Sequence, residues 1–600
     1  MKAPTPTDPE LELEHRHLAE TRARMEREMS DIHRRFEEQT DAADDRSTES
    51  VLALYEQRFR QLGKIFEEGT PYFGRIDFLI REEAALRRIY LGKFALHEED
   101  GEPLVTDWRA PVANLYYENA VGPAWYRVEN RTVEGDLMLK RKLDIKKFKL
   151  KGYDDTDIIS ADAALLPYLA AASDVRLKNI IATIQAEQNA IIRQDMHRHL
   201  IVQGMAGSGK TTVALHRVAY LVYLHRKDFH PEHFLILSSG GFFLSYISGI
   251  LPDLGVENVP QDTFEGVCSE HLGEDIAAAD PLLWLYEGDT PRRAAFEAEA
   301  QYKSDVKILK DIDIFIDTRY TRQQLGELRQ SRGKIRISAL YREFLRERGF
   351  SDSPWQQEDL APMLYLSHRL YATANRYIRH IIIDEAQDFS PVQLRVLRLI
   401  YQTASFTILG DLAQGIYPWR GVRDWGSVNL AAFDGAAKQL YLQKGYRTTV
   451  EIVEAANGVL KRLAALPGGE ALPLGQAVLR HGAAVERKAV QDSAERTEAC
   501  RDFLALCAAQ AHHNVALIVR SPKNCRALAE ALGVAALAGR DDQYTGGACV
   551  ITAALSKGLE FDAVAVADTA DYRETAGDLH LLYVAMTRPM HVLWLIGEGA

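Results

Sequence analysis

Gly204-Met-Ala-Gly-Ser-Gly-Lys210-Thr211 is the stretch that decides how this chain is read. It follows a short apolar run, His199–Gln203, that reads as a strand, and it opens a helical pattern over Thr212–Leu224. A glycine loop of this spacing, set between a strand and a helix, lets backbone amides wrap phosphate oxygens at a helix N-terminus. Gly204, Ala206, Gly207, Ser208, Gly209 and Thr212 are therefore expected to line a nucleotide. Lys210 would reach its β- and γ-phosphates, and the Thr211 hydroxyl would ligate Mg²⁺. The plain alternative is a glycine turn in an α/β domain.

A second stretch weighs against the plain alternative. Ile381-Ile382-Ile383 reads as a buried strand and runs into Asp384-Glu385-Ala386-Gln387-Asp388. Carboxylates at the C-terminal end of a parallel strand face the ligand edge of the sheet. Asp384 is placed to hold Mg²⁺ through water, and Glu385 to orient and deprotonate an attacking water. Phe234–Ser238 and Thr407–Leu409 read as further buried strands, with a helix-rich segment from Gly273 to Tyr377 between them. Leu177–Met196 reads as a helix. Val515–Val519, Ala548–Thr552 and Val592–Ile596 repeat the strand pattern near the C-terminus.

Upstream the texture differs. Leu11, Leu18, Met25 and Ile32 recur every seven residues, which predicts a coiled-coil seam. A polar break with Asp41, Asp44 and Asp45 follows, and then Leu52, Tyr55, Phe59, Leu62 and Phe66 resume the periodicity. Two antiparallel helices are expected, either protruding with an acidic tip or lying on the main body. From Pro71 to about Asp157, Gly and Pro punctuate short β-branched and aromatic runs. Within them Leu139–Lys151 is strand-like and basic, either a phosphate-binding strand or an edge strand guarded by lysines.

The composition sets limits. Six hundred residues exceed one core, and a charged fraction of 26% is that of an ordinary soluble protein. Five scattered cysteines form no CxxC pair, so neither zinc nor a disulfide framework is expected, and the usage suits a reducing cytosol. The polar, acidic start is expected not to be a secretory signal, and no run of about 20 apolar residues predicts a membrane span. A net charge of −13 restricts any nucleic-acid contact to a local groove, or points to a basic protein partner.

DEAQD with the P-loop resembles the superfamily 1 helicases of the UvrD/Rep type, and further stretches resemble their other motifs in order. Ile184–Gln188 resembles the Q motif, which implies that Gln188 reads the adenine edge. Leu409–Gly421 resembles motif III and implies a γ-phosphate sensor at Gln414 and base-stacking aromatics at Tyr417 and Trp419; core packing is the alternative for Trp419. Gly445-Tyr446-Arg447-Thr448 resembles motif IV, with Tyr446 on adenine and Arg447 on the γ-phosphate. Leu555–Phe561, containing Glu560, resembles motif V. Leu582–Arg588 resembles motif VI, with Arg588 as a second arginine finger. Taken alone, either arginine would read as a surface salt bridge.

Pro71–Phe78, Asp107-Trp-Arg-Ala-Pro111 with Leu115-Tyr-Tyr117, Ile184–Arg193 and Glu358–Pro362 resemble HelD, a bacterial RNA polymerase-associated ATPase family. That resemblance implies an α/β fold with two RecA-like P-loop domains built on parallel sheets, an N-terminal antiparallel helical hairpin and a helical insertion. The expected division is a hairpin at 1–69, a β-rich family-specific domain at 70–160, a first lobe at 161–272 and 376–432, an insertion at 273–375 and a second lobe at 433–600. ATP and Mg²⁺ are the implied cofactors. Bacterial RNA polymerase core is the implied partner, touched by Asp41, Asp44 and Asp45 and released from nucleic acid by ATP-driven lobe movement. Several features depart from the pattern: the segment from Phe264 to Asp384 and the N-terminal hairpin are both short, Ser238-Ser-Gly-Gly241 stands where a Pro-Asn pair is usual, and Glu265 replaces a histidine. With both arginines in one chain a monomer suffices, in the cytoplasm and without membrane contact. The alternatives are a 3′–5′ single-stranded DNA translocase or helicase in repair, and a non-catalytic binding protein on a motor fold.

Overall fold

A computed structural model describes residues 9–40, 46–128, 131–155, 184–238, 249–274, 276–279, 290–331, 335–467, 469, 471–477, 480–539, 542 and 546–597. Asp41, Asp44 and Asp45 lie outside the described residues, as do residues 177–183 of the expected helix. The chain forms two compact units. One comprises Met1–Arg193, Leu215–Phe229 and Ser248–Glu257, and the other Gln194–Ala214, His230–Ile247 and Asn258–Ala600.

The first unit pairs two helices, Pro9–Thr40 and Arg46–Glu68, with a seven-stranded sheet. Its central strands, Gly74–Ile80 and Arg131–Lys146, are antiparallel. The heptad residues Leu18, Met25 and Ile32 are buried in one cluster with Leu62 and Ile65 of the second helix and with Tyr72, Tyr90, Leu96 and Val105 of the sheet. The seam thus faces both the partner helix and the sheet, and the near end of the hairpin lies on the body. Arg24 donates to His97 O and Arg58 to Ala95 O, fixing that end further.

Leu139–Lys151 divides: its end, with Lys146, Lys147, Lys149 and Lys151 exposed, fits the lysine-guarded edge strand, and its start does not. The segment is two strands, Arg131–Lys146 and Lys149–Asp155, joined through Lys147 and Phe148 at positive φ. Lys140, Arg141 and Lys142 are buried. Arg141 donates to Glu14 Oε1 at 2.9 Å, to Glu10 Oε2 at 3.0 Å and to both oxygens of Asp155 at 2.6 and 3.0 Å. Arg75 shares Glu14 at 2.8 Å and grips Asp77 with two bonds. Arg141 and Arg75 thus form an internal ion-pair cluster that fastens the first helix. Buried charge is tolerated only with such pairing.

The same unit interlocks its own sequence motifs. The expected helix Leu177–Met196 is shorter at its C-terminal end, because the described helix is Ala186–Ile192. Arg193 leaves it to donate to Trp108 O at 2.9 Å and Asn189 Oδ1 at 2.9 Å. Asn189 donates to Asn114 Oδ1 at 2.6 Å and Glu118 Oε1 at 2.7 Å. Arg217, fully buried, caps the helix through Ile191 O and Ile192 O.

The second unit carries two parallel sheets. The first runs Gln261–Thr263, Phe234–Ser238, His380–Ile383, Ser405–Gly410, Leu200–Gly204, Lys438–Leu442. The second runs Glu486–Lys488, Pro589–Ile596, Phe561–Val566, Val515–Val519, Ala548–Thr552, Ala535–Leu537. Nearly every residue of the central strands is buried, as parallel strands covered on both faces require. Lys438–Leu442 moves the expected boundary at 433: it pairs with Leu200–Gly204, so the first lobe extends to Leu442. Helices Lys307–Arg319, Ile337–Glu347 and Gln357–Tyr371 of the 273–375 segment share a core with this sheet through Ile312, Phe344 and Leu364. All five cysteines are buried free thiols. Among the described residues no helix is long and apolar enough to cross a membrane.

Candidate nucleotide site

Three strands of the first sheet end together, and each delivers part of the site. Leu200–Gly204 leads into the glycine loop, His380–Ile383 into Asp384, and Ser405–Gly410 into Asp411. Gly207 and Gly209 take φ of +73° and +80°, a conformation that favours glycine, and this turns the loop so that the helix Lys210–Leu224 begins at the lysine. Lys210 Nζ donates to Gly204 O at 3.0 Å and Met205 O at 3.2 Å, arching over its own loop.

Thr211 Oγ1 donates to Asp384 Oδ2 at 2.7 Å. These two oxygen donors, one on the helix and one on the strand end, suit a small hard cation such as Mg²⁺. Burial, together with the neighbouring Glu385 carboxylate, pushes the Asp384 carboxyl up to about 6, outweighing the Thr211 hydrogen bond and the Lys210 charge that lower it. Glu385 sits at φ +53°, a strained conformation for a residue with a side chain. Burial pushes its carboxyl up, but Lys557, Lys210 and Arg588 outweigh that and hold it below the usual range. It is thus a carboxylate kept ionised among cations.

The second lobe supplies two of those cations, Lys557 and Arg588. Lys557 Nζ donates to Asp388 Oδ2 at 2.6 Å and Gln414 O at 2.8 Å, and lies 3.7 Å from Glu385 Oε2. Arg588 Nη2 donates to Gln414 Oε1 at 2.7 Å, and its Nε is held by Val584 O. Gln414 in turn donates to Asp411 Oδ2 at 2.8 Å. Arg447 forms an ion pair with Glu560, and its Cβ lies 3.2 Å from where a Cβ on Gly207 would stand. Tyr446 N donates to Gly207 O at 3.1 Å, and its ring is buried. Lys210, Thr211, Asp384, Glu385, Gln414, Arg447, Glu560 and Arg588 therefore converge. Gln188 belongs to the other unit, where its Oε1 accepts from Gln185 N at 3.1 Å.

Tyr417 and Trp419 are core residues here rather than a platform for bases. They are 6% and 4% exposed, pack edge to face with centroids 5.6 Å apart, and Trp419 Nε1 donates to Glu358 Oε1 at 3.0 Å. Arg420 covers the Tyr417 ring at 3.8 Å. Two residues were not anticipated. Lys557 lies inside the quoted Leu555–Phe561 stretch, where a lysine beside glycine reads as a surface charge. Gln387 donates to Glu385 Oε2 at 2.5 Å and accepts from Asp411 N at 3.0 Å, bracing that carboxylate from the turn that bears it.

This arrangement defines a P-loop protein with two parallel α/β lobes meeting at one nucleotide site. Residues 11–166 match the N-terminal domain of DNA helicase IV HelD, residues 184–424 the UvrD/REP helicase N-terminal domain, and residues 547–596 the UvrD-like helicase C-terminal domain. The chain is accordingly a HelD-type member of the UvrD/Rep superfamily 1 helicase-like proteins. Similar curated proteins include "ATP-dependent DNA helicase PcrA" of Staphylococcus epidermidis, 24% identical over 47% of this chain and 40% of that protein. "DNA helicase II" of Haemophilus influenzae is 26% identical over 47% of this chain and 41% of that one. The chain thus covers about two fifths of the length of these relatives. A solved structure, the C-terminal domain of a possible DNA helicase from Lactobacillus plantarum WCFS1, is 24% identical over 26% of this chain and 88% of that one, with a TM-score of 0.21.

Proposed function

We propose that this chain hydrolyses ATP and uses the resulting lobe movement to act on bacterial core RNA polymerase, promoting its release from nucleic acid. The observation that carries the ATPase reading is the meeting of Glu385, from one lobe, with Lys557 and Arg588 from the other, beside Lys210. ATP with Mg²⁺ supplies the phosphoryl group and neutralises part of its charge. The chain's residues do the rest. The loop amides and Lys210 bind phosphate oxygens, and Thr211 and Asp384 hold the cation. The Glu385 carboxylate orients a water and takes its proton. Arg447 and Arg588 stabilise charge on the equatorial oxygens, and because both belong to the second lobe, chemistry requires closed lobes.

The polymerase reading rests on the HelD N-terminal domain match and on the paired helices of the first unit. Two measurements test the proposal. Phosphate release by Glu385→Gln should fall far below that of the wild type, and equal rates would refute the base assignment. Core RNA polymerase should be retained by the tagged chain and lost when Asp41, Asp44 and Asp45 are changed together to asparagine. Unchanged retention would remove the acidic tip from the contact. The DNA helicase names of the relatives favour a second reading, translocation on single-stranded DNA. Robust strand displacement without polymerase would select it.

A further inference from the structure

The second residue of the glycine loop reaches out of its own lobe. Met205 N donates to Leu442 O at 3.3 Å, while its side chain enters the second lobe, where Sδ accepts from Gln476 N at 3.3 Å. The slot that receives it is walled by two glycines. A Cβ on Gly445 would stand 2.8 Å from Met205 Cε, and one on Gly475 would stand 2.7 Å from the same atom. Neither glycine has a positive φ, so backbone conformation does not demand glycine at these positions; what a Cβ there would displace first is the seated methyl of Met205. The slot is also braced. Asn457 donates to Gly475 O at 3.0 Å and accepts from Gly475 N at 2.8 Å, and Lys444–Gly445 pairs in parallel with Gln476–Ala477.

We propose that Met205 is a positioning residue, a key from the phosphate loop seated in the Gly445–Gly475 slot of the second lobe. Its seating sets how readily the lobes part and hence how fast nucleotide leaves. The loop cannot separate from the second lobe without withdrawing this side chain. Withdrawal breaks the Gln476 N–H···S bond and, with it, the Tyr446 N–H bond to Gly207 O that lies alongside. An unbranched thioether suits the task, since it fills a narrow slot and changes rotamer at low cost. That a seam residue governs nucleotide exchange rests on the nucleotide reading above; that it governs lobe parting does not.

The test uses the full chain with Met205→Ala, Gly475→Ala and the double variant. Met205→Ala empties the slot. Gly475→Ala overfills it, and the flexible methyl end of Met205 is the atom that must leave. The first readout needs no nucleotide: hydrogen exchange at the Tyr446 and Gln476 amides. Each single variant should exchange there about tenfold faster, and the double variant, with the new methyl opposite a shortened side chain, less than the product of the two. The second readout is release of fluorescent ADP, expected to follow the same order. Wild-type exchange in both single variants, or strictly multiplicative effects in the double, would overturn the proposal. If no variant binds ADP, the nucleotide reading fails while the exchange result still decides the key.

Discussion

Changing Lys557 to methionine keeps an unbranched side chain one atom shorter and deletes its charge. The ammonium bonds Asp388 at 2.6 Å across the lobes, with side-chain exposures of 8% and 2%. Removing one member of such a buried pair strands the other, at ~3–5 kcal/mol. Asp388 and Glu385 belong to the first lobe and Lys557 to the second, so the penalty falls only on the closed arrangement; in parted lobes water solvates the carboxylates. At 1.4 kcal/mol per decade, closure becomes less favourable by on the order of 10²–10³-fold. Because closure brings Arg588 to Gln414, kcat/KM for ATP hydrolysis should fall by a similar factor. The assay is steady-state phosphate release beside a separate measurement of ATP affinity.

The electrostatics add a sign. Burial raises the Glu385 carboxyl, and Lys557 is the strongest of the groups that lower it. Glu385 works ionised, so activity is lost as pH falls through its titration. Without Lys557 that loss should begin at higher pH, making the variant more impaired at pH 6 than at pH 8. Lys557→Met combined with Asp388→Leu should recover much of the closure, since replacing both members of a buried pair by apolar groups is often nearly neutral. A single variant within about threefold of the wild type, or a double variant no better than the single, would refute the reasoning.

Arg588→Ala should lower kcat by about 10³ while ATP affinity changes little, as for other arginine fingers, and a change confined to KM would refute that role. Glu14→Gln leaves Arg75 and Arg141 with Asp77, Asp155 and Glu10 but without their shared central carboxylate. It should weaken the attachment of helix Pro9–Thr40 by about 2–3 kcal/mol, read as lost hydrogen-exchange protection along that helix. Burial depresses the His17 imidazole to about 4, and its ring stacks on Tyr90 with centroids 3.5 Å apart. The unfolded histidine binds a proton that the folded one refuses between about pH 6.5 and pH 4, so stability should fall as pH drops through that window. His17→Phe should flatten the pH dependence of protection in the same helix.

How far the sequence could be read depended on how local the physics is. The glycine loop and Asp384–Asp388 were legible because phosphate binding and a base at a strand end demand fixed residues at fixed spacing. Lys438–Leu442 was not. It is an edge strand with Lys438 and Tyr441 exposed, so it lacks the apolar run that marks its neighbours. The start of the basic stretch is not legible as buried because two of the carboxylates that pair with Arg141, Glu10 and Glu14, lie 131 and 127 residues away. For a similar reason the sequence leaves core packing of Trp419 only an alternative and gives no sign of it for Tyr417. Glu358 and Phe296, which enclose Trp419, lie in the helical segment whose docking no local pattern reveals.

The two arginines are held in different ways, and this gives the site an order of events. Arg588 is 6% exposed and fixed by Val584 O, Leu559 O, Thr587 Oγ1 and Gln414 Oε1. Moving it would expose several buried polar atoms at once, so it is preset whenever the lobes are together. Arg447 is about one-third exposed, and its ion-pair partner Glu560 equally so. A pair so hydrated is worth little, about 0–1 kcal/mol, and exchanges cheaply for a stronger anion. On the mechanism proposed above, Glu560 would hold Arg447 beside the phosphate loop until a phosphate on Lys210 drew it across, whereas Arg588 would respond to lobe position. One finger would then report that the site is filled and the other that the lobes are closed, and a filled but open site would not fire.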